Sequence, residues 1–279
     1  MVRFWRLMVN VAIELVILAG AAFCVLPFFW MLSTSLKTPA EITLVPPPVL
    51  PEHPQWSNYP NAFVRAADIG VPFVRCFFNL AVVGIAVTAG VLVTAVLAGF
   101  AFSVLQFRGK NVLFLLFLAT MMIPFEVSLI PNFFIIDYLG WYDTYAALVV
   151  PWTASAFSVF FVRRMFDGLP REMYEAARLD GCSDLRYLWS IGAPMIQPAL
   201  ITIAVFAFLG SWNALVWPLV VTSSPDLSVI QKGLASFIEE ATTHYHLLMA
   251  AATLTILPIV ILYLLAQRWF ERGAEQMTT

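Results

Sequence analysis

Side chains that could do chemistry are few in this chain. Only 11% of its 279 residues are Asp, Glu, Lys or Arg. Five of them stand together in EAARLDGCSDLRYLWSIGAP at residues 175–194, a polar stretch with apolar spans on either side. The three histidines are His53, His244 and His246. With Glu239 and Glu240 the last two make a grouping of metal-ligand types, but their spacing fits no structural or catalytic site, so an exposed loop is expected. Cys24, Cys76 and Cys182 are scattered and suggest neither a metal site nor a disulfide framework. There is no GxSxG, HExxH or GxGxxG pattern, and no phosphate-binding P-loop. The chain is therefore expected to be no enzyme and to bind no cofactor. Any ATP-driven process would have to keep its ATP and Mg on another polypeptide. The formal net charge of -2, with no basic run, gives no reason to expect nucleic acid.

The elements that must hold these side chains are apolar. Hydrophobic residues make up 61% of the chain and its mean hydropathy is +0.85, whereas a soluble domain carries roughly a quarter charged residues. Six stretches approach the ~20 residues that a helix needs to cross a bilayer, near 11–34, 75–103, 112–134, 145–163, 195–221 and 247–268. The expectation is an all-α polytopic membrane protein, a single domain over 1–279 with six transmembrane helices. The first stretch follows MVRFWR and has no small-x-small cleavage site, so it reads as a retained helix and not as a signal peptide. Gly84, Gly90 and Gly99 in the second stretch would let neighbouring helices approach closely. Eleven of the 15 Lys and Arg fall on the side of the N-terminus, and Lys37, Arg65, Arg75 and Lys232 on the other. The positive-inside bias then puts both termini and the charged stretch in the cytoplasm. On the outer side, eight prolines between residues 35 and 74 predict a stiff, extended loop without a long helix.

Within the spans a few polar residues need partners. Asn213, beside Trp212 in the fifth, would cost several kcal/mol if left unpaired in hydrocarbon. Either it joins helices, or with Trp212 it lines a wet path and meets a ligand's hydroxyl groups. Glu126, counted along a straight helix from Lys110, falls about 24 Å up the third span. It is either a gate or cavity residue or a hydrogen-bonded structural one. Asn79 reads most simply as a helix-packing amide, with the path as the alternative. Pro124 and Pro131 are candidate bends, as is Pro258 in the sixth span.

The charged stretch has its own architecture. Pro170 suits a first helical turn, Glu172 and Glu175 favour the positive end of the helix dipole, and Gly181 can close the helix in the left-handed conformation. Ser183 can cap a second short helix, with Leu185, Leu188 and Trp189 spaced to lie back on the membrane domain. Residues 170–192 thus form a two-helix insert with the small Ala176 and Ala177 near the middle of the first helix. Such a helix either seats in another protein's groove or rests on the lipid surface.

Glu175, Ala176, Ala177, Gly181, Ile191 and Pro194 stand at the full spacing of the signature loop of the membrane subunits of binding-protein-dependent ABC importers, and the insert resembles it. Ala193 departs from the leucine usual there. SLKTPAEI at 35–42, SNY at 57–59, MMIP at 121–124, WN at 212–213 and LMAAATLTILPIVILY at 248–263 are similar to the carbohydrate-uptake branch. They most resemble its second permease subunit, as in maltose-, trehalose- and glycerol-3-phosphate-type systems. At Asn79-Leu80 the branch usually has Asn-Ser. The resemblance implies a permease subunit in a bacterial or archaeal cytoplasmic membrane. Its partners would be a second permease subunit, two ATP-binding subunits, an extracytoplasmic solute-binding protein, the lipid bilayer and a sugar or polyol-phosphate substrate. It implies that Glu175, Ala176, Ala177, Asp180 and Gly181 couple to the ATPase, with Glu175 the charged contact and the alanines the close-packed face. An ion-gradient-driven secondary transporter would need midplane charges or repeated halves. A membrane enzyme would need clustered acid–base groups. The sequence offers neither.

Overall fold

The structure, a computed structural model, describes residues 2–68, 70–240 and 244–278. Every described element is helical or a turn. The chain divides into two compact units, Met1–Val71 with Leu234–Pro258, and Pro72–Gly233 with Ile259–Thr279.

In the first unit, helix α1 (Val2–Ser35) leads into a short α2 (Pro39–Thr43) and then α3 (Asn58–Asp68). The proline-rich segment is not wholly extended, because Pro60 sits in the first turn of α3, where its missing N–H costs nothing. Buried polar groups hold the segment. Asn58 Nδ2 donates to the carbonyls of Ser35 and Lys37, both at 2.9 Å. Thr38 and Glu41 form a capping box, and Glu41 also accepts the Glu52 N–H at 2.7 Å. Lys37, almost fully buried, lies 4.2 Å over the Trp30 ring.

The second unit is built on α4 (Phe73–Ser103), 31 residues and about 46 Å long. It is followed by α5 (Lys110–Ala119), α6 (Phe125–Tyr138), α7 (Tyr145–Val149), α8 (Ala156–Asp167), α9 (Arg171–Leu179), α10 (Asp184–Tyr187), α11 (Ala193–Met195), α12 (Gln197–Trp212) and α13 (Val216–Val221). Two further helices, α14 (Ile230–Glu240) and α15 (Tyr245–Thr278), complete the order of elements. The glycines of α4 lie where neighbours press closest. A Cβ added at Gly99 would lie 2.6 Å from Val162 of α8, one at Gly90 2.5 Å from Thr153, and one at Gly84 3.0 Å from Phe208 of α12.

Three helices are long and apolar enough to cross a membrane by themselves: Met8–Ser35, Phe73–Ser103 and Tyr245–Leu265. Three bent pairs raise the number to as many as six. The third expected span is not straight, since α5 with its final turn meets α6 at 102°. Pro124 forces Ile123 out of the helical region, to φ -86° and ψ 113°. Pro131 and Pro258, by contrast, sit inside unbroken helices. The fourth span bends by 41° near Pro151. The fifth, expected over 195–221, is two helices: α12 stops at Trp212 and α13 starts at Val216.

Candidate coupling insert and cavity

Residues 170–192 fold as helix, turn, helix. Glycine closes α9: Gly181 takes φ +79°, its N–H donates to the Arg178 carbonyl at 3.1 Å, and the Cys182 N–H reaches the Ala177 carbonyl at 2.9 Å. Ser183 then caps α10 through the Arg186 N–H. Asp184 ties the two short helices, accepting from Tyr174 Oη at 2.8 Å and Arg178 Nη1 at 2.9 Å. Burial and the Asp184 carboxylate together push the Tyr174 phenol above its usual range.

The inner side of the insert is aromatic. Tyr174 and Tyr187 meet edge to face at 5.1 Å, and both contact Phe100 of α4, at 6.2 and 6.1 Å. Phe100 in turn contacts Phe166 of α8 at 5.7 Å. This cluster fixes the insert to the ends of two long elements.

Orientation corrects part of the sequence reading. Ala177 is 9% exposed and turned into the chain's own interior, so it is not on an open close-packed face. Glu175, Ala176, Asp180 and Gly181 are exposed, as is Leu179 at 90%. Adjacent helical residues are rotated by about 100°, so Ala176 and Ala177 cannot share one face. Leu185 and Trp189 are also exposed and do not lie back on the membrane domain, whereas Tyr187 and Leu188 are buried. Beyond α10 the backbone widens into a π turn, Leu188–Gly192, which shifts the expected helical face.

A cavity of about 490 Å³ lies beside α4, lined by its Leu80, Val83, Val87 and Val91 and by Phe206, Ala207, Gly210 and Ser211 of α12. Trp152, Ser155, Phe157 and Ser158 close another side, with Ala214, Leu215, Val216 and Trp217 from the break after α12. Irregular backbone at membrane depth is tolerated where it lines such a cavity. The wall is mainly apolar, with hydroxyls from Ser155, Ser158 and Ser211 and the crossed indoles of Trp152 and Trp217, whose ring centres are 5.9 Å apart.

The expected path residues do not line it. Trp212 is buried and stacks on Phe208 at 5.2 Å, and its carbonyl accepts from Gln231. Asn213 is exposed at the end of α12, with Nδ2 turned back to the Leu209 carbonyl at 3.0 Å. Glu126 is exposed in the first turn of α6, and its neighbour Phe125 is the one that reaches the cavity. Its height counted along a straight helix does not hold, because the bend intervenes. Asn79 is fully buried and fully engaged. Its Nδ2 donates to the carbonyls of Asp226 (2.7 Å) and Ser228 (2.9 Å), and its Oδ1 accepts from Tyr145 Oη at 2.6 Å. It anchors a loop to α4 and does not face the cavity. Sequence reasoning misses the cavity's serines and its two tryptophans. The one local signal for them is the cap-forming Ser155 and the WNALVWP run that breaks the fifth span.

Among the described residues no group of three His, Cys, Asp or Glu is placed to hold a metal ion. The side chains of Glu239 and Glu240 lie outside the described residues.

Long apolar helices, broken spans around a cavity, and a polar insert tied to two helix ends describe a transport permease. Residues 86–276 match the binding-protein-dependent transport system inner membrane component family, and the chain belongs to it. It is a polytopic, non-catalytic permease subunit. It is 31% identical over 266 residues to the arabinooligosaccharides transport system permease protein AraQ of Bacillus subtilis strain 168, covering 95% of this chain and 93% of that one. It is also 31% identical over 263 residues to the sn-glycerol-3-phosphate transport system permease protein UgpE of Yersinia enterocolitica, covering 93% and 94%. A chain in the crystal structure of a bacterial ABC transporter involved in the import of the acidic polysaccharide alginate has the same fold. Its TM-score is 0.82 at 22% identity, covering 94% of this chain and 96% of that one.

Proposed function

We propose that this chain is one of two permease subunits of an ATP-driven importer, corresponding to the second subunit of maltose- or glycerol-3-phosphate-type systems. Its cargo is a disaccharide, a short oligosaccharide or a polyol phosphate, delivered by an extracytoplasmic binding protein. The whole chain acts as one permease domain with both termini in the cytoplasm, where 170–192 docks on one of two ATPase subunits that hold ATP and Mg.

One observation carries this reading. The insert presents Glu175, Ala176, Leu179, Asp180 and Gly181 outward while its other side is fastened to α4 and α8 through Phe100 and Phe166. A surface loop that merely rested on lipid would gain nothing from that anchoring. A joint that must pass motion to the spans requires it, because rigid pieces moving between two arrangements are how such transporters alternate access. Leu179, almost fully solvent-facing in the isolated chain, is free to be buried by a partner groove.

The test is reconstitution with the co-encoded permease, ATPase and binding protein in proteoliposomes, scored for uptake of labelled sugars and polyol phosphates. Uptake should need ATP inside the vesicle and the binding protein outside. Transport driven by an ion gradient with the ATPase left out would sink the proposal.

A further inference from the structure

Next to the insert, but distinct from its docking face, lies a second concavity of about 430 Å³. Its polar lining includes Lys110, Arg163, Arg171, Gln106, Asn111 and Asp167. Three cations thus face one carboxylate, and that carboxylate is already occupied: Asp167 accepts the Ser103 hydroxyl at 2.6 Å and lies 3.7 Å from Arg163 Nε. Two of the three cations are held in place, while Arg171 is exposed at the start of α9. Lys110 donates to the carbonyls of Ser103 (2.7 Å) and Leu105 (2.8 Å) at the end of α4, leaving one of its three N–H donors. The Arg163 guanidinium lies 3.9 Å over the Phe114 ring, and its Nε is shut off from solvent without a hydrogen bond. No described residue forms an ion pair with Arg171.

Three positive groups offset by a single carboxylate leave the hollow net positive, which favours the entry of an anion. Gln106 and Asn111 add neutral donors suited to phosphate oxygens. The rim is oily, with Phe107 41% and Val112 63% exposed, and α5 rising from it has no fully buried side chain, with Leu113, Leu115 and Leu116 exposed. A charged hollow at the foot of a lipid-facing helix suits a molecule with an anionic head and an apolar tail.

We infer that this pocket holds a phosphate anion carried on the headgroup of an anionic phospholipid, with its acyl chains along α5. Arg171 opens α9, so the bound headgroup would brace the insert where it leaves α8. The inference rests on no assignment of the transported cargo.

The experiment uses the purified, delipidated full chain and measures lipid retention by native mass spectrometry. Phosphatidylglycerol, phosphatidylcholine and inorganic phosphate are titrated separately. Phosphatidylglycerol should bind in preference to phosphatidylcholine, and excess phosphate should displace it. Arg171→Gln should weaken phosphatidylglycerol about fivefold, the effect of one basic residue near an anionic surface. Arg164→Gln, which removes an exposed charge of α8 outside the pocket, should match wild type. Unchanged melting of both variants establishes that the fold is intact. Equal binding of the two lipids, or equal weakening by both variants, overturns the site. Phosphate binding as tightly as phosphatidylglycerol overturns the lipid assignment. Loss of ATPase co-purification in Arg171→Gln with lipid retention unchanged makes the pocket a protein contact and overturns it too.

Discussion

Replacing Leu179 by Asp tests the proposed docking face where the structure leaves it most open. Leu179 is 90% exposed in the isolated chain and contributes almost nothing to its folding. If an ATPase groove covers it, association gains about 1.5–3 kcal/mol from that side chain. Removing it should weaken binding roughly tenfold to a hundredfold, since each 1.4 kcal/mol is a factor of ten. The new carboxylate must also be desolvated, which pushes the effect toward the upper end. Ala177→Trp is the contrasting variant. At 9% exposure the position faces the chain's own interior, so the added ring overpacks the insert by about 1–3 kcal/mol and should lower the melting temperature. Leu179→Asp should leave melting unchanged. The assay is the dissociation constant for the co-encoded ATPase subunit in detergent, with thermal unfolding run on the same preparations. A Leu179→Asp variant that binds within twofold of wild type would refute the argument that this face is the contact.

Other expectations are more local. Asn79→Leu strands one buried and one part-buried carbonyl and a phenol and should cost roughly 2–5 kcal/mol, against about 1 kcal/mol for Tyr145→Phe, read from denaturant unfolding in micelles. Gly99→Ala forces a methyl to within 2.6 Å of Val162 and should lower the melting temperature, while Gly210→Ala meets nothing within 4 Å and should not. On a cysteine-free background, a cysteine at Ser57 should react with an impermeant thiol reagent on intact cells and one at Asp184 should stay silent; the reverse pattern defeats the proposed topology. The Thr38 N–H holds the Glu41 carboxyl below its usual range despite burial, with the Glu52 N–H adding to the effect. Because the folded-state value is depressed, this contribution is complete above the ordinary Glu range near about 4.3 and disappears as pH falls through the folded value. Hydrogen-exchange protection of Thr38 and Glu52 should therefore fall in acid, and Glu41→Gln should remove that dependence.

The long elements are legible because their signal is long. Phe73–Ser103 and Tyr245–Leu265 are uninterrupted apolar runs, and no local detail can override twenty residues of hydropathy. The insert is legible because Pro170, Gly181 and Ser183 each act on their own backbone. Breaks within spans are not. Pro124, Pro131 and Pro258 look alike in sequence, yet the first opens a 102° bend and the others sit in continuous helices. At Pro124 the preceding Ile123 leaves the helical region, whereas Pro131 and Pro258 are accommodated, a difference that the local residues do not reveal. Facing is also beyond reach: Ala176 and Ala177 are the same residue, and only the packing of Tyr174 and Tyr187 onto Phe100 turns one of them inward. Asn79 reads as a helix-packing amide because its acceptors, the carbonyls of Asp226 and Ser228, lie nearly 150 residues away in a loop with no local signature.

Helix α4 carries both of the clamps described above, Asn79 toward one end and Phe100 toward the other. Their separation of 21 positions spans about 32 Å of unbroken helix. A rod of that kind would join the proposed docking face to the 224–228 loop. If a partner contacting the 224–228 loop and the proposed ATPase contact at the insert each shifted the tilt of α4, each would alter the affinity of the other by the same factor. Under the proposed coupling, the linkage along this helix has no preferred direction, and only the irreversibility of ATP hydrolysis on a partner would give it one.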